Sequence, residues 1–124
     1  MPRRRLLSFK YAFQGIAYLL RTQPNARIHS AALLLAVSAG VFFSISPGEW
    51  LAVVLASALV LALEAVNTAV EALTDLVSPG HHQLAGAAKD VAAAAVLIAA
   101  MGAAVVGTIV FLPKLYFYWT NMGH

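Results

Sequence analysis

The stretch EWLAVVLASALVLALEAVNTAVEALTDLV, residues 49–77, decides the fold of this chain of 124 residues. After its first residue it carries no charge up to Leu63, and its second half contains three acidic residues. No Gly or Pro lies within it. We therefore predict one long helix over 49–77, which is apolar in its first half and carries a polar stripe in its second half.

Two further stretches are long enough to cross a membrane. Residues 28–48 and 91–113 carry no formal charge, and a helix needs about 20 apolar residues to cross roughly 30 Å of hydrocarbon. The dipeptide Pro47-Gly48 predicts a tight turn before the second span. The three transmembrane helices are expected over residues 28–46, 49–77 and 86–112.

The N-terminal residues follow a different pattern. Apolar side chains recur at spacings of three and four over residues 6–20, as they do on one face of a helix. We predict an amphipathic helix over 5–22 that lies in the membrane interface. The alternative is a signal peptide that opens with the three consecutive arginines. Lys10 and Gln14 interrupt the apolar core that such a signal needs.

The composition agrees with a membrane protein. Hydrophobic residues make up 61% of the chain and charged residues 10%, against about 45–50% and about 25% in soluble domains. These values argue against a water-soluble globule and against disorder, which requires high charge. No cysteine is present, which excludes disulfides and thiolate chemistry. We expect residues 1–124 to form a single all-α membrane domain that self-associates and has no nucleic-acid partner.

The positive charges predict the orientation. Cytoplasmic loops carry an excess of Lys and Arg, and only Lys114 lies across the membrane from the N-terminus. We therefore expect the N-terminal segment and the loop at 78–89 in the cytoplasm, and the C-terminus outside. The other seven basic residues are Arg3, Arg4, Arg5, Lys10, Arg21, Arg27 and Lys89.

Polar residues of the second span share one helix face. A charge within the membrane costs at least about 2.5–3.5 kcal/mol, so such residues usually face a bundle interior and serve a function. Grouped carboxylates suit a Mg²⁺ site, a general base beside a metal, or a proton pathway. The simpler interpretation is that only Glu64 is within the membrane and the others are solvated. The stripe consists of Glu64, Asn67, Thr68, Glu71 and Asp75.

The segment HHQLAGAAKD, residues 81–90, precedes the third span. If the second and third spans are antiparallel neighbours, Lys89 lies beside the carboxylate stripe. It is then either a phosphate ligand or an interfacial lysine that snorkels, with Asp90 as a capping acid. Adjacent histidines in a loop are more typical of solvated residues than of a zinc site, and His29 is expected to be interfacial.

The motif EAVNTAVEALTD (64–75), followed by HHQLAGAAKD, resembles the small prokaryotic integral-membrane lipid kinases. These are the diacylglycerol kinases and their undecaprenol kinase relatives. SFKYAFQGI (8–16) and NARIH (25–29) are similar to the entry segment of the family. The ending IVFLPKL (109–115) resembles the undecaprenol kinase branch.

The resemblance implies a homotrimer whose active sites are shared between subunits at the cytoplasmic face of the bacterial inner membrane. There, the γ-phosphate of Mg-ATP is transferred to a lipid hydroxyl. In this sequence Glu64 resembles the general base and Asn67 its polar neighbour, and Glu71 resembles a metal-binding carboxylate of the nucleotide site. Lys89 and Asp90 match nucleotide-contacting positions, with Lys89 on the phosphates. The other positions that the resemblance places at the nucleotide are Gly80, His81, His82, Tyr11 and Arg4.

One position departs from the family pattern. Gln23 stands where the family often carries a second metal-binding Glu. Its amide oxygen carries no charge, so we expect it to ligate Mg²⁺ weakly or through water. The expected function is an ATP-dependent lipid kinase, with undecaprenol favoured over diacylglycerol. One alternative is a small oligomeric proton-coupled transporter or channel that uses Glu64. Another alternative is a catalytically weakened homologue, because Gln23 replaces the Glu that the family often carries at this position.

Overall fold

The computed structural model describes residues 2–123 and is helical throughout apart from short connections. The last three of its four helices are long and apolar enough to cross a membrane. The prediction of an all-α protein with three spans is thus confirmed. The helices are α1 (Pro2–Thr22), α2 (Pro24–Phe42), α3 (Pro47–Val77) and α4 (Gln83–Met122).

The connection between α2 and α3 differs from the expected turn at Pro47-Gly48. Both residues lie inside the first turn of α3, and the chain reverses over residues 43–46, where Ser44 has a φ of 51°. Ser46 begins the helix, because its Oγ accepts a hydrogen bond from the Glu49 N–H while the Glu49 carboxylate accepts one from the Ser46 N–H. Proline suits this first turn, since it has no N–H to leave unpaired.

The last helix continues past the expected end at residue 112 and through Pro113 to Met122. A proline inside a helix removes one hydrogen bond, so other contacts must hold the final turns. Lys114 donates to Glu49 Oε2 at 2.7 Å. The Tyr118 ring packs edge-on against the rings of Phe42 and Phe43 at the end of α2, with centroid distances of 5.6 Å and 6.2 Å, respectively.

Small residues let the spans approach closely. Helices α3 and α4 make the most extensive contact in the molecule. On α4, Ala99 is buried, and the other members of its four-residue row are half-buried. Gly40 of α2 meets the Trp50 ring, where an added Cβ would lie 2.7 Å from the ring. Close packing of this kind is typical of helices in lipid. The row on α4 consists of Ala95, Ala99, Ala103 and Gly107.

The surface of the single chain is large and apolar. Its accessible area is 9270 Å², whereas a compact soluble monomer of this mass exposes about 6400 Å². Large hydrophobic side chains are exposed along all four helices, including Phe9 and Phe13 of α1. Lipid or other protein must cover these faces, as expected for an integral membrane protein.

Candidate active site

The burial of the polar stripe changes along α3. Glu64 is only 2% exposed, Asn67 and Glu71 are half-buried, and Asp75 is exposed. Within the stripe, the Asn67 amide donates to Glu71 Oε1 at 3.4 Å, and the Thr68 hydroxyl donates to the Glu64 carbonyl oxygen at 2.9 Å. The stripe therefore runs from a buried carboxylate to a solvated one along a single helix.

The buried end of the stripe faces a histidine from another helix. His29 Nε2 of α2 lies 3.4 Å from Glu64 Oε1, and the two side chains are 26% and 3% exposed. This is an ion-pair distance but not a hydrogen bond, and within residues 2–123 Glu64 Oε1 is buried without a donor. The buried Asn67 Oδ1 also lacks a donor.

His29, which is expected from the sequence to be interfacial, is half-buried against the stripe, a contact that the sequence did not predict. The sequence offered one usable signal. His29 stands near the start of α2 and Glu64 in the second half of α3, and consecutive spans that run in opposite directions bring these two segments together. The missing information was the rotation of α2 about its axis, because the few polar residues of α2 do not share one face that would orient it.

The exposed end of the stripe carries an ion pair between Lys89 Nζ of α4 and Asp75 Oδ1. The expected placement of Lys89 beside the carboxylates is thus confirmed, and it follows from the contact of α3 with α4. The side chains are 39% and 64% exposed, so solvent screens the pair and it contributes little to stability. Lys89 can therefore exchange its partner Asp75 for an anionic ligand at low cost.

The connecting loop places its histidines in solvent. Gly80, His81 and His82 are all exposed. His82 is the N-cap of α4, and its Nδ1 accepts a hydrogen bond from the Leu84 N–H at 3.1 Å. This bond satisfies one of the unpaired N–H groups at the helix start. Asp90 is exposed on the second turn of the same helix.

The N-terminal candidates do not join the stripe in a single chain. Arg4 and Tyr11 are exposed on α1. Gln23 is the extended residue between α1 and α2, and its amide donates to Thr22 Oγ1 at 3.4 Å. Over residues 2–123 no hydrogen bond connects Gln23 with Glu71. Nor does any group of three or more His, Asp and Glu side chains lie close enough there to hold a metal.

Comparisons with known proteins place the sequence within one family. The family model of the prokaryotic diacylglycerol kinases matches residues 10–111. A protein of Synechocystis named diacylglycerol kinase is 41% identical over 89% of this chain, which spans only 63% of that relative's length. A Bacillus subtilis protein named undecaprenol kinase is 40% identical over 87% of this chain and 88% of that relative's length. An Escherichia coli protein named diacylglycerol kinase is 28% identical over 91% of this chain and 87% of that relative's length.

Proposed function

The chain belongs to the prokaryotic diacylglycerol kinase family, whose named members are lipid kinases, and on that premise we propose its reaction. It transfers the γ-phosphate of ATP to the hydroxyl of a membrane lipid. The observation that carries this proposal is the order of groups along the stripe. A buried carboxylate lies at one end, and the partly exposed Lys89 of α4 lies at the other.

The chemistry suits this order, because phosphoryl transfer depends mainly on positioning and on neutralising charge. Glu64 accepts the hydroxyl proton as the lipid oxygen bonds to the γ-phosphorus and the bond to the ADP oxygen breaks. Lys89 leaves Asp75 and binds the phosphates. Glu64 and Glu71 are seven residues apart, or about 10 Å along the helix. This spacing places the base deeper than the phosphates.

Glu71 suits a Mg²⁺ ion shared with ATP. Mg²⁺ is commonly held by one or two carboxylates together with substrate phosphates. The Glu71 carboxylate is half-buried, and its only hydrogen bond within residues 2–123 comes from the Asn67 amide at Oε1. Its second oxygen is therefore available as a ligand. The bound metal would supply positive charge to the phosphates, and Gln23 would contribute at most a neutral oxygen.

We assign undecaprenol as the preferred lipid and diacylglycerol as the second choice. The names of the relatives do not separate the two substrates, because a protein of each name is about 40% identical. The preference rests on three local resemblances to the undecaprenol kinase branch. These are RIH at 27–29, HHQLA at 81–85 and FLPKL at 111–115.

The proposed assembly is a homotrimer in the bacterial inner membrane, with the site at the cytoplasmic face. Lys114 is paired with Glu49, so the end of the bundle expected outside carries little net positive charge. The exposed apolar residues of α1, such as Phe9 and Phe13, suit a helix in the interface. Self-association would also bring ligands from another subunit to the Mg²⁺ ion at Glu71.

The test is phosphate transfer from labelled ATP by the purified protein, with undecaprenol and diacylglycerol supplied separately in detergent micelles. We expect Mg²⁺-dependent formation of a phosphorylated lipid, faster with undecaprenol. The matched control is Asp75→Asn, which should retain activity because it removes only the exposed partner of Lys89. ATP turnover that neither lipid stimulates, with no phosphorylated product, would contradict the lipid-kinase proposal. A proton-coupled transporter has no support from the relatives.

A further inference from the structure

The contact between His29 and Glu64 brings together two titratable side chains from different spans. Within residues 2–123, no other Lys, Arg or His side chain lies at ion-pair distance from Glu64. His29 is more accessible than Glu64, and it lines a groove of about 270 Å³ between α2, α3 and α4. The other walls of that groove are Ala, Leu and Val side chains and the hydroxyl-bearing Ser57.

A buried carboxylate needs a donor. Leaving a charged group without a hydrogen bond in an apolar environment is costly, yet Glu64 Oε1 receives none in the observed geometry. His29 Nε2 lies 3.4 Å away and can carry the proton that such a bond needs. A small rotation of the imidazole ring would turn this contact into a hydrogen bond, and that bond would fix the plane of the carboxylate.

We propose that His29 is a positioning residue for Glu64. Its Nε2–H donates to Oε1, so that Oε2 is the oxygen presented to the lipid hydroxyl. The inference rests on the proposed function. In the transfer step Glu64 gains the hydroxyl proton, the lipid oxygen bonds to phosphorus and ADP leaves. His29 keeps its own proton throughout.

Two substitutions separate positioning from packing. His29→Leu fills similar space but has no donor, whereas His29→Gln places an amide N–H at about the reach of Nε2. Hydrogen bonds to charged groups are strong enough that we expect His29→Leu to lower kcat by about 10- to 100-fold. The KM for Mg-ATP should stay unchanged, because His29 does not contact the phosphate end of the stripe.

His29→Gln should recover kcat to within about threefold of wild type, since it retains a neutral donor. The matched control is Ser57→Ala, which removes a polar group from the same groove without touching Glu64, and it should behave like wild type. The inference is overturned if His29→Leu retains full kcat, or if the Leu and Gln variants are equally impaired.

An infrared measurement tests the pair without reference to activity. The carboxylate stretching bands of Glu64, assigned by subtraction of the spectrum of Glu64→Gln, should shift in His29→Leu and stay near wild type in His29→Gln. Unchanged bands in His29→Leu would overturn the inference even for an active enzyme. If wild type phosphorylates neither lipid while the bands shift as expected, the proposed function fails and the pairing stands.

Discussion

Replacing Gly40 by Ala should destabilise the bundle because of one close contact. A Cβ at Gly40 would lie 2.7 Å and 2.9 Å from two atoms of the Trp50 ring, and 3.0 Å from Ile45 Cδ1. Ile45 is buried and packs against Trp50 in the cluster at this end of the molecule. The ring therefore has little room to withdraw, and overpacking of this kind costs about 1–3 kcal/mol.

The expected free energy also includes a gain, because Ala favours a helix interior over Gly by about 1 kcal/mol. Gly40→Ala should thus lower the free energy of unfolding by up to about 2 kcal/mol. Gly102→Ala is the matched control on α4, where a Cβ would meet nothing within 4 Å, and it should gain about 1 kcal/mol. The assay is equilibrium unfolding in mixed micelles, followed by helix content.

A third variant tests the cause of the loss. In a Trp50→Leu background the ring is absent, so adding Gly40→Ala should no longer be destabilising, and the two changes should couple by about 1–3 kcal/mol. The reasoning would be refuted if Gly40→Ala were as stable as Gly102→Ala. Additive effects of Gly40→Ala and Trp50→Leu would refute it as well.

Three other changes probe the two ends of the bundle. Lys89→Ala should raise the KM for ATP about tenfold or more, because it removes a charge-assisted contact to the phosphates, and Lys89→Arg should recover part of this loss. If Lys89→Ala and wild type had the same KM for ATP in steady-state assays, Lys89 would not bind the phosphates. Gln23→Glu should lower the Mg²⁺ concentration needed for half-maximal activity, because a carboxylate binds Mg²⁺ better than an amide; an unchanged Mg²⁺ titration would remove Gln23 from the metal site. Glu49→Gln should lower the thermal unfolding temperature, and this decrease should vanish in a Lys114→Met background. A decrease of the same size in both backgrounds would show that the Glu49–Lys114 pair does not hold α4 past Pro113.

The sequence was sufficient for those features that depend on local chemistry. Long uncharged stretches predicted the three spans, and acidic residues at helical spacing predicted the stripe on α3. The position of Lys89 followed from one further assumption, that consecutive spans are antiparallel neighbours. Its ion pair with Asp75 agrees with that assumption.

The remaining features depend on contacts between distant segments. A proline ordinarily ends a helix, but α4 continues through Pro113 because Lys114 and Tyr118 bind groups at the ends of α3 and α2. The contact between His29 and Glu64 could not be predicted from the sequence either. The rotation of α2 that turns His29 toward the stripe is set by packing, since the polar residues of α2 are spread around the helix and do not specify that rotation.

In the proposed reaction the buried carboxylate of α3 is the general base of a lipid kinase, and the variant Glu64→Gln removes that base. The measurement is the amount of phosphorylated lipid formed from labelled ATP by wild type and by Glu64→Gln, with oligomeric state and lipid binding recorded for both. We predict that the variant assembles and binds lipid like wild type but loses nearly all product. Product formation by Glu64→Gln at the wild-type rate would show that Glu64 is not the base.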